Sequence, residues 1–99
     1  MNELSQNVRN NAGRQRYELD TAGVTAIAVY EERDKVVAIT HTEVPDAASG
    51  QGVGSALIKG ALADIRARNF KLLPLCPFVA EYLERHPYDR DLVDETAGQ

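Results

Sequence analysis

Apolar residues recur along this chain with two different periods, and the change of period marks out its elements. Residues 24–32 (VTAIAVYEE) and 35–44 (KVVAITHTEV) alternate apolar and polar positions and are rich in β-branched side chains. That is the pattern of half-buried strands, and the tight link at Arg33 and Asp34 makes them a hairpin. Residues 16–19 (RYEL) read as a shorter strand, followed by turn chemistry at 20–23. Residues 1–15 are polar and read as a loose lead-in with a short strand around Val8. Pro45 ends the long strand because it has no N–H to donate to a ladder. The period then lengthens. Val53, Ala56, Leu57, Ala61 and Ile65 fall at i, i+3, i+4, i+8 and i+12, one apolar stripe on a helix, and Asn69 suits the left-handed residue that closes it. Residues 71–75 (KLLPL) are a short apolar strand. Pro77 opens a second helix, which puts Phe78, Val79, Tyr82 and Leu83 on one side and stops at Pro87. The tail from Asp94 onward is polar and reads as frayed.

Strands, helix, strand, helix in that order predict an α/β (α+β layered) fold, with helices packed on a mixed sheet. If the strands at its two ends are parallel, the segment 35–75 is a right-handed crossover. At 99 residues the chain reads as a single domain, residues 1–99. A chain this short is marginally stable, but its 43% hydrophobic content is enough for one modest core.

Composition narrows the function more than the fold. The formal net charge is −4, with a pI near 5.1. That excludes the broad basic face of a general nucleic-acid binder and favours cationic partners over anionic ones. Cys76 is the single cysteine, so no disulfide forms within the chain. There is no four-ligand set of Cys and His for structural zinc, and no metal is expected. No run approaches the ~18 apolar residues of a membrane span, and nothing near the N-terminus has signal-peptide character. A cytoplasmic protein without membrane or nucleic-acid partners is therefore expected.

The most informative stretch is HTEVPDAASGQGVGSALI, residues 41–58, in which Gly50, Gly52 and Gly54 alternate with Gln51 and Val53 at the mouth of the helix. Glycine permits positive φ and close approach to the main chain. The first turn of a helix presents unpaired N–H groups and a partial positive charge. Together these make a phosphate or pyrophosphate site, to which Ser55 can add a hydroxyl. The competing reading is an ordinary strand-to-helix turn, and spacing alone does not decide between them. No Gly-Lys-Ser/Thr ending is present, so the turn is not a P-loop; position 57 is Leu, so the dinucleotide fingerprint is incomplete.

The stretch THTEVPDAASGQGVGSALIKGALADIRARNFKLLPLCPFVAEYLERHP closely resembles the GNAT superfamily of N-acetyltransferases, and more narrowly its small YjdJ-type single-domain subfamily. The likeness covers roughly residues 8–92 and is densest from 40 to 88; HTEVP and LCPFV carry it more specifically than the glycines. The superfamily's acetyl-CoA loop has the form Arg/Gln-x-x-Gly-x-Gly/Ala, and the same register here runs Ser49, Gly50, Gln51, Gly52, Val53, Gly54. Ser49 departs from the leading Arg or Gln, which weakens one phosphate contact unless Gln51 replaces it. The early helical region that shapes the acceptor site in larger members is missing.

The resemblance implies a minimal GNAT fold with a mixed, mostly antiparallel sheet, and acetyl transfer from acetyl-CoA to an unidentified amine. The amine attacks the thioester directly, which requires a neutral amine, an oxyanion donor and a proton for the leaving thiolate. It also implies that pantetheine runs along the main chain of Thr42, Glu43 and Val44, where this strand and the next splay apart, with Cys76 and Phe78 close to the cofactor. His41 and Glu43 share a face of a regular strand, and either can act as base; otherwise Glu43 is solvated and His41 satisfies a loop carbonyl. Cys76, directly before a helix, has a position that lowers a thiol pKa and permits an acetyl-cysteine; otherwise it is a small buried residue beside the cofactor. Relatives use a tyrosine from the region of Tyr82 to protonate the thiolate; core packing is the other reading. Arg85 and Arg90 are candidates to approach phosphates. The rival to an enzyme is a CoA-binding regulatory module with little turnover. A monomer or a homodimer is compatible with all of this.

Overall fold

A computed structural model of the protein describes residues 4–94. Its five strands form one sheet in the order β1-β2-β3-β4-β5. They are β1 (Arg9–Asn11), β2 (Arg16–Thr21), β3 (Val24–Arg33), β4 (Val36–Glu43) and β5 (Lys71–Pro74); the helices are α1 (Val53–Ala67) and α2 (Pro77–Arg85). Neighbours run antiparallel up to β4, and β4 and β5 run parallel, with α1 as the crossover between them. The sheet is thus mixed and mostly antiparallel, as expected.

Turn geometry sets the strand ends. The β2–β3 loop is Ala22–Gly23 (φ +53° and +75°) and the β3–β4 loop is Asp34–Lys35 (φ +52° and +65°). Paired positive φ values are the type I′ pattern, whose twist matches a hairpin. The link expected at Arg33 and Asp34 is therefore shifted by one residue. Likewise β2 runs to Thr21 rather than Leu19, because Asp20 and Thr21 still pair with Thr25 and Val24.

Helix α1 ends as Asn69 predicts. Asn69 (φ +58°) and Phe70 donate their N–H groups to the carbonyls of Arg66 and Ile65, both at 3.0 Å, closing a Schellman motif. Its buried stripe is wider than the expected one and adds Ile58 and Leu62, while Ala56 is half-buried. These residues pack with Val79, Tyr82 and Leu83 of α2 on one face of the sheet, over Tyr17, Leu19, Ala26, Ala28, Tyr30, Val37, Ile39 and Leu72. The alternate sheet positions Ile27, Val29, Val36, Ala38 and Leu73 are only half-buried, and among the described residues no helix packs on that opposite face of the sheet.

The N-terminal segment is more ordered than a loose lead-in. A 3-10 turn at Leu4–Asn7 precedes β1, and another at Ala12–Arg14 follows it. Gly60 makes room for the first. A Cβ at Gly60 would lie 2.6 Å from the Ser5 carbonyl oxygen and 2.5 Å from Val8 Cγ2. Gly60→Ala should therefore destabilise the protein by about 1–3 kcal/mol, although alanine favours a helix interior. A lowered denaturation midpoint, with amide protection lost first across residues 4–11, is the expected result; a raised midpoint contradicts it. After α2 a further 3-10 turn, Pro87–Leu92, returns the chain to β5, where Val93 bridges Leu72. The polar tail beyond Asp94 lies outside the described residues.

Candidate functional site

The site begins where β4 loses a neighbour. Its pairing with β5 runs from Val36–Lys71 to Ile39–Pro74 and stops. Beyond that point the N–H groups of Leu75 and Cys76 both converge on the Ile39 carbonyl, at 3.1 and 3.0 Å. Strand β4 nevertheless continues against β3 as far as Glu43. Its other edge, from Thr40 to Glu43, therefore faces a notch rather than a strand.

A bulge decides what the notch presents. Val29 pairs with His41 but Tyr30 pairs with Ile39, so Thr40 is an extra residue on β4. Val37, Ile39, His41 and Glu43 all have the same parity, yet the first two are buried and the last two exposed. The inserted residue reverses the alternation. Thr42, opposite Ala28, turns to the helix side, while His41 and Glu43 turn to the bare side. His41 Nε2 lies 3.6 Å from a Glu43 carboxylate oxygen, and both side chains are more than half exposed.

On the helix side Cys76 is 5% exposed and its Sγ donates to Thr42 Oγ1 at 3.3 Å. Burial raises the thiol pKa. The Thr42 hydroxyl and the amide hydrogens of Val79, Phe78 and Thr42 outweigh it, and the net direction is down. Cys76 is the N-cap residue of α2, and that is why helix amides point at it.

The glycine turn follows the notch. Gly50 (φ +79°) and Gly52 (φ +72°) occupy left-handed conformations, and Gly52 is the N-cap of α1. A Cβ on either would meet nothing within 4 Å. Gly54 is different: its added Cβ would lie 2.5 Å from the Phe78 ring, so this glycine lets α2 close onto α1. A cavity of about 270 Å³ lies over the turn, lined by Val44, Ala48, Ser49, Gly50, Gly52, Val53, Gly54, Ser55, Phe78 and Arg85. In a chain of net charge −4, an anion there needs local attraction; the amides of the first α1 turn face the cavity, and Arg85, which lines it, is ion-paired with Glu81 at 3.2 Å and would have to share its guanidinium. Gln51 is exposed and does not line the cavity, and the Ser49 hydroxyl is tied back to the Asp46 carbonyl at 2.9 Å. Arg90 does not line it either.

The structure thus brings most of the expected residues to one end of β4, but divides them between the two faces. Tyr82 stands elsewhere. It is buried in the α1–α2 seam, stacked on His86 at 4.1 Å between ring centroids, and it lines cavities with Lys59 and Leu62 rather than with Thr42 or Cys76. Burial, then Asp89 and Tyr88, push its phenol pKa up to about 12. The Thr42–Cys76 contact and the packing of Phe78 on Gly54 have no sequence signal, since each joins residues far apart in the chain. Among the described residues no group of three or more His, Cys, Asp or Glu side chains is arranged to hold a metal, and no helix is long and apolar enough to cross a membrane.

Comparisons with known proteins agree with this fold. Residues 16–92 match the family of GCN5-related N-acetyl-transferases. Protein NATD1 from Gallus gallus and from Mus musculus is each 35% identical over 63 residues, which cover 63% of this chain and 57% of either relative. The matched region thus spans little more than half the length of those relatives. A GCN5-like protein from Staphylococcus aureus, solved in solution by NMR, superposes with a TM-score of 0.67 at 28% identity, over 95% of this chain and 91% of that one.

Proposed function

The chain belongs to the GCN5-related N-acetyltransferase family, and from that premise we propose that it binds acetyl-CoA at the glycine turn and passes the acetyl group to an amine. The observation that carries the proposal is the notch. Strand β4 is stripped of β5 after Ile39 but held by β3 through Glu43, shortly before the glycine turn that opens α1. The residues present fit the cofactor, because Gly50 and Gly52 leave open space where any side chain would stand.

In this reading the amides of the first α1 turn, with Arg85, hold the diphosphate. The freed edge of Thr42, Glu43 and Val44 aligns the pantetheine arm. Bound there, acetyl-CoA would supply an acyl thioester: the amine nitrogen would bond to its carbonyl carbon, the C–S bond would break, and the leaving thiolate would be protonated by the proton the amine gives up. The acceptor approaches from the bare face of the sheet, where Glu43 and His41 take the amine's proton directly or through water. Thr42 and Cys76 close the notch from the helix side. Tyr82, held in the α1–α2 seam, is assigned to packing.

A second reading, a CoA-binding module with little turnover, is favoured by one feature: Ser49 spends its hydroxyl on Asp46 where the family pattern has Arg or Gln. Calorimetry with CoA, followed by thiol release in the presence of polyamines, amino acids and lysine peptides, separates the two. Binding together with acceptor-dependent release is expected. Binding with no release for any acceptor supports the module, and absence of binding overturns both.

A further inference from the structure

Packing accounts for the Tyr82 ring but not for its hydroxyl. Tyr82 is only 3% exposed, and its ring stacks on His86. Among the described residues the hydroxyl has no hydrogen-bond partner. The polar pair beside it passes it by, since Tyr88 Oη and His86 Nδ1 lie 3.0 Å from each other. A buried phenol normally finds a partner, and one left without it costs stability. The side chain lines a cavity of about 370 Å³ between α1 and the Pro87–Leu92 turn. Burial first, then Asp89 and Tyr88, raise its pKa, so its oxygen lies within reach of the two residues that the turn adds to this cavity. Leu62, Ala63 and Ala67 supply the apolar side.

The charged groups of the lining are already spent. Arg66 holds Asp89 at 3.2 Å and Asp91 at 2.8 Å, and Lys59 is engaged as well. What remains to be matched is one hydroxyl donor, an apolar surface and the Tyr88 ring, which is 72% exposed. A mostly apolar cleft with a single placed polar group is the usual make-up of a small-molecule site. We propose that this cavity is a ligand site for a small, uncharged aromatic molecule carrying one hydrogen-bond acceptor, such as a carbonyl. The carbonyl oxygen accepts from the Tyr82 hydroxyl, the ring lies on Leu62, Ala63 and Ala67, and Tyr88 stacks on its outer face. An ionised ligand is disfavoured, because it would have to strip Arg66 from its two carboxylates. The inference does not depend on acetyl transfer: none of the residues lining this cavity lines the one over the glycine turn.

The test is titration of acetophenone, toluene and benzoate into the full chain, followed by amide NMR, for the native protein, Tyr82→Phe and Ala63→Leu. Acetophenone is expected to give saturable shifts centred on residues 59–67 and 82–89, the segments that line the cavity. Tyr82→Phe keeps the ring and should weaken acetophenone about fivefold. Toluene, which has no acceptor, should bind the native protein more weakly than acetophenone does, and the variant no differently from the native protein. The thermal midpoint of Tyr82→Phe should not fall, since the hydroxyl has no partner to lose. Ala63→Leu, at an exposed helix position, fills the apolar side and should abolish binding of both. The proposal is overturned if acetophenone gives no saturable shift, if its shifts centre elsewhere, or if Tyr82→Phe binds it as tightly as the native protein. It is equally overturned if Tyr82→Phe melts well below the native protein, which would reveal a partner within the chain, or if benzoate binds more tightly than acetophenone, which would mark an anion site.

Discussion

Gly52→Val is expected to weaken acetyl-CoA binding by about a hundredfold, close to 3 kcal/mol, while leaving a folded protein. Two effects combine. Gly52 holds φ +72° at the N-cap of α1, a conformation that costs a residue with a Cβ roughly 1–2 kcal/mol. Relief of that strain turns the first α1 amides away from the cavity they face. The valine side chain also projects into the open space that the diphosphate is proposed to fill. Strain alone is controlled by Gly23→Val. Gly23 has nearly the same φ, +75°, and the same open surroundings, but it lies in the β2–β3 turn. The two variants should lose similar thermal stability, and calorimetry should register lost affinity in the Gly52 variant alone. Equal CoA affinity in both would remove the turn from the binding site. Gly54→Ala is a poorer probe than spacing suggests, since its Cβ meets the Phe78 ring before any ligand does.

That contrast between glycines illustrates what a linear sequence carries and what it omits. The helix α1, its Schellman closure at Asn69 and the hairpin of β3 and β4 depend on local periodicity and local turn chemistry, and they were readable. So was the glycine turn at the start of α1, because a glycine-rich helix start is itself a local feature. The distinction between Gly52, kept for its φ, and Gly54 and Gly60, kept for a neighbour's side chain or backbone, depends on long-range packing. The parity reversal at Thr40 was unreadable for another reason. Thr40 is as good a strand former as the residues around it, and strict alternation through β4 assigns His41 and Glu43 to the same face as Val37 and Ile39. Burying that carboxylate and imidazole in the core would be costly, which is the physical argument for the bulge. The lead-in failed as a prediction because its order comes from docking on α1 rather than from its own polar composition.

The faces to which the bulge assigns these side chains also separate two chemistries, and substitution should tell them apart. Glu43→Gln and His41→Ala are expected to lower kcat by about a hundredfold each, the scale of a lost general base, with acetyl-CoA affinity and thermal stability nearly unchanged. Stability should hold because both side chains are exposed and pack against nothing in the core. Cys76→Ala should cost less than tenfold in kcat on the same reading. The thiol is buried on the helix side against Thr42, so an acetyl group placed on it would lie on the opposite side of β4 from an amine beside His41 and Glu43. The lowered thiol pKa is then a consequence of the Thr42 hydroxyl, with the amides of Val79 and Phe78 adding to it, rather than a sign of nucleophilic duty. A covalent route predicts the reverse ranking: Cys76→Ala inactive, Glu43→Gln close to native, and native protein incubated with acetyl-CoA alone heavier by one acetyl group. Finding that mass increase on Cys76, and its transfer on addition of an amine, would overturn direct attack and move the reacting carbon to the helix side of β4.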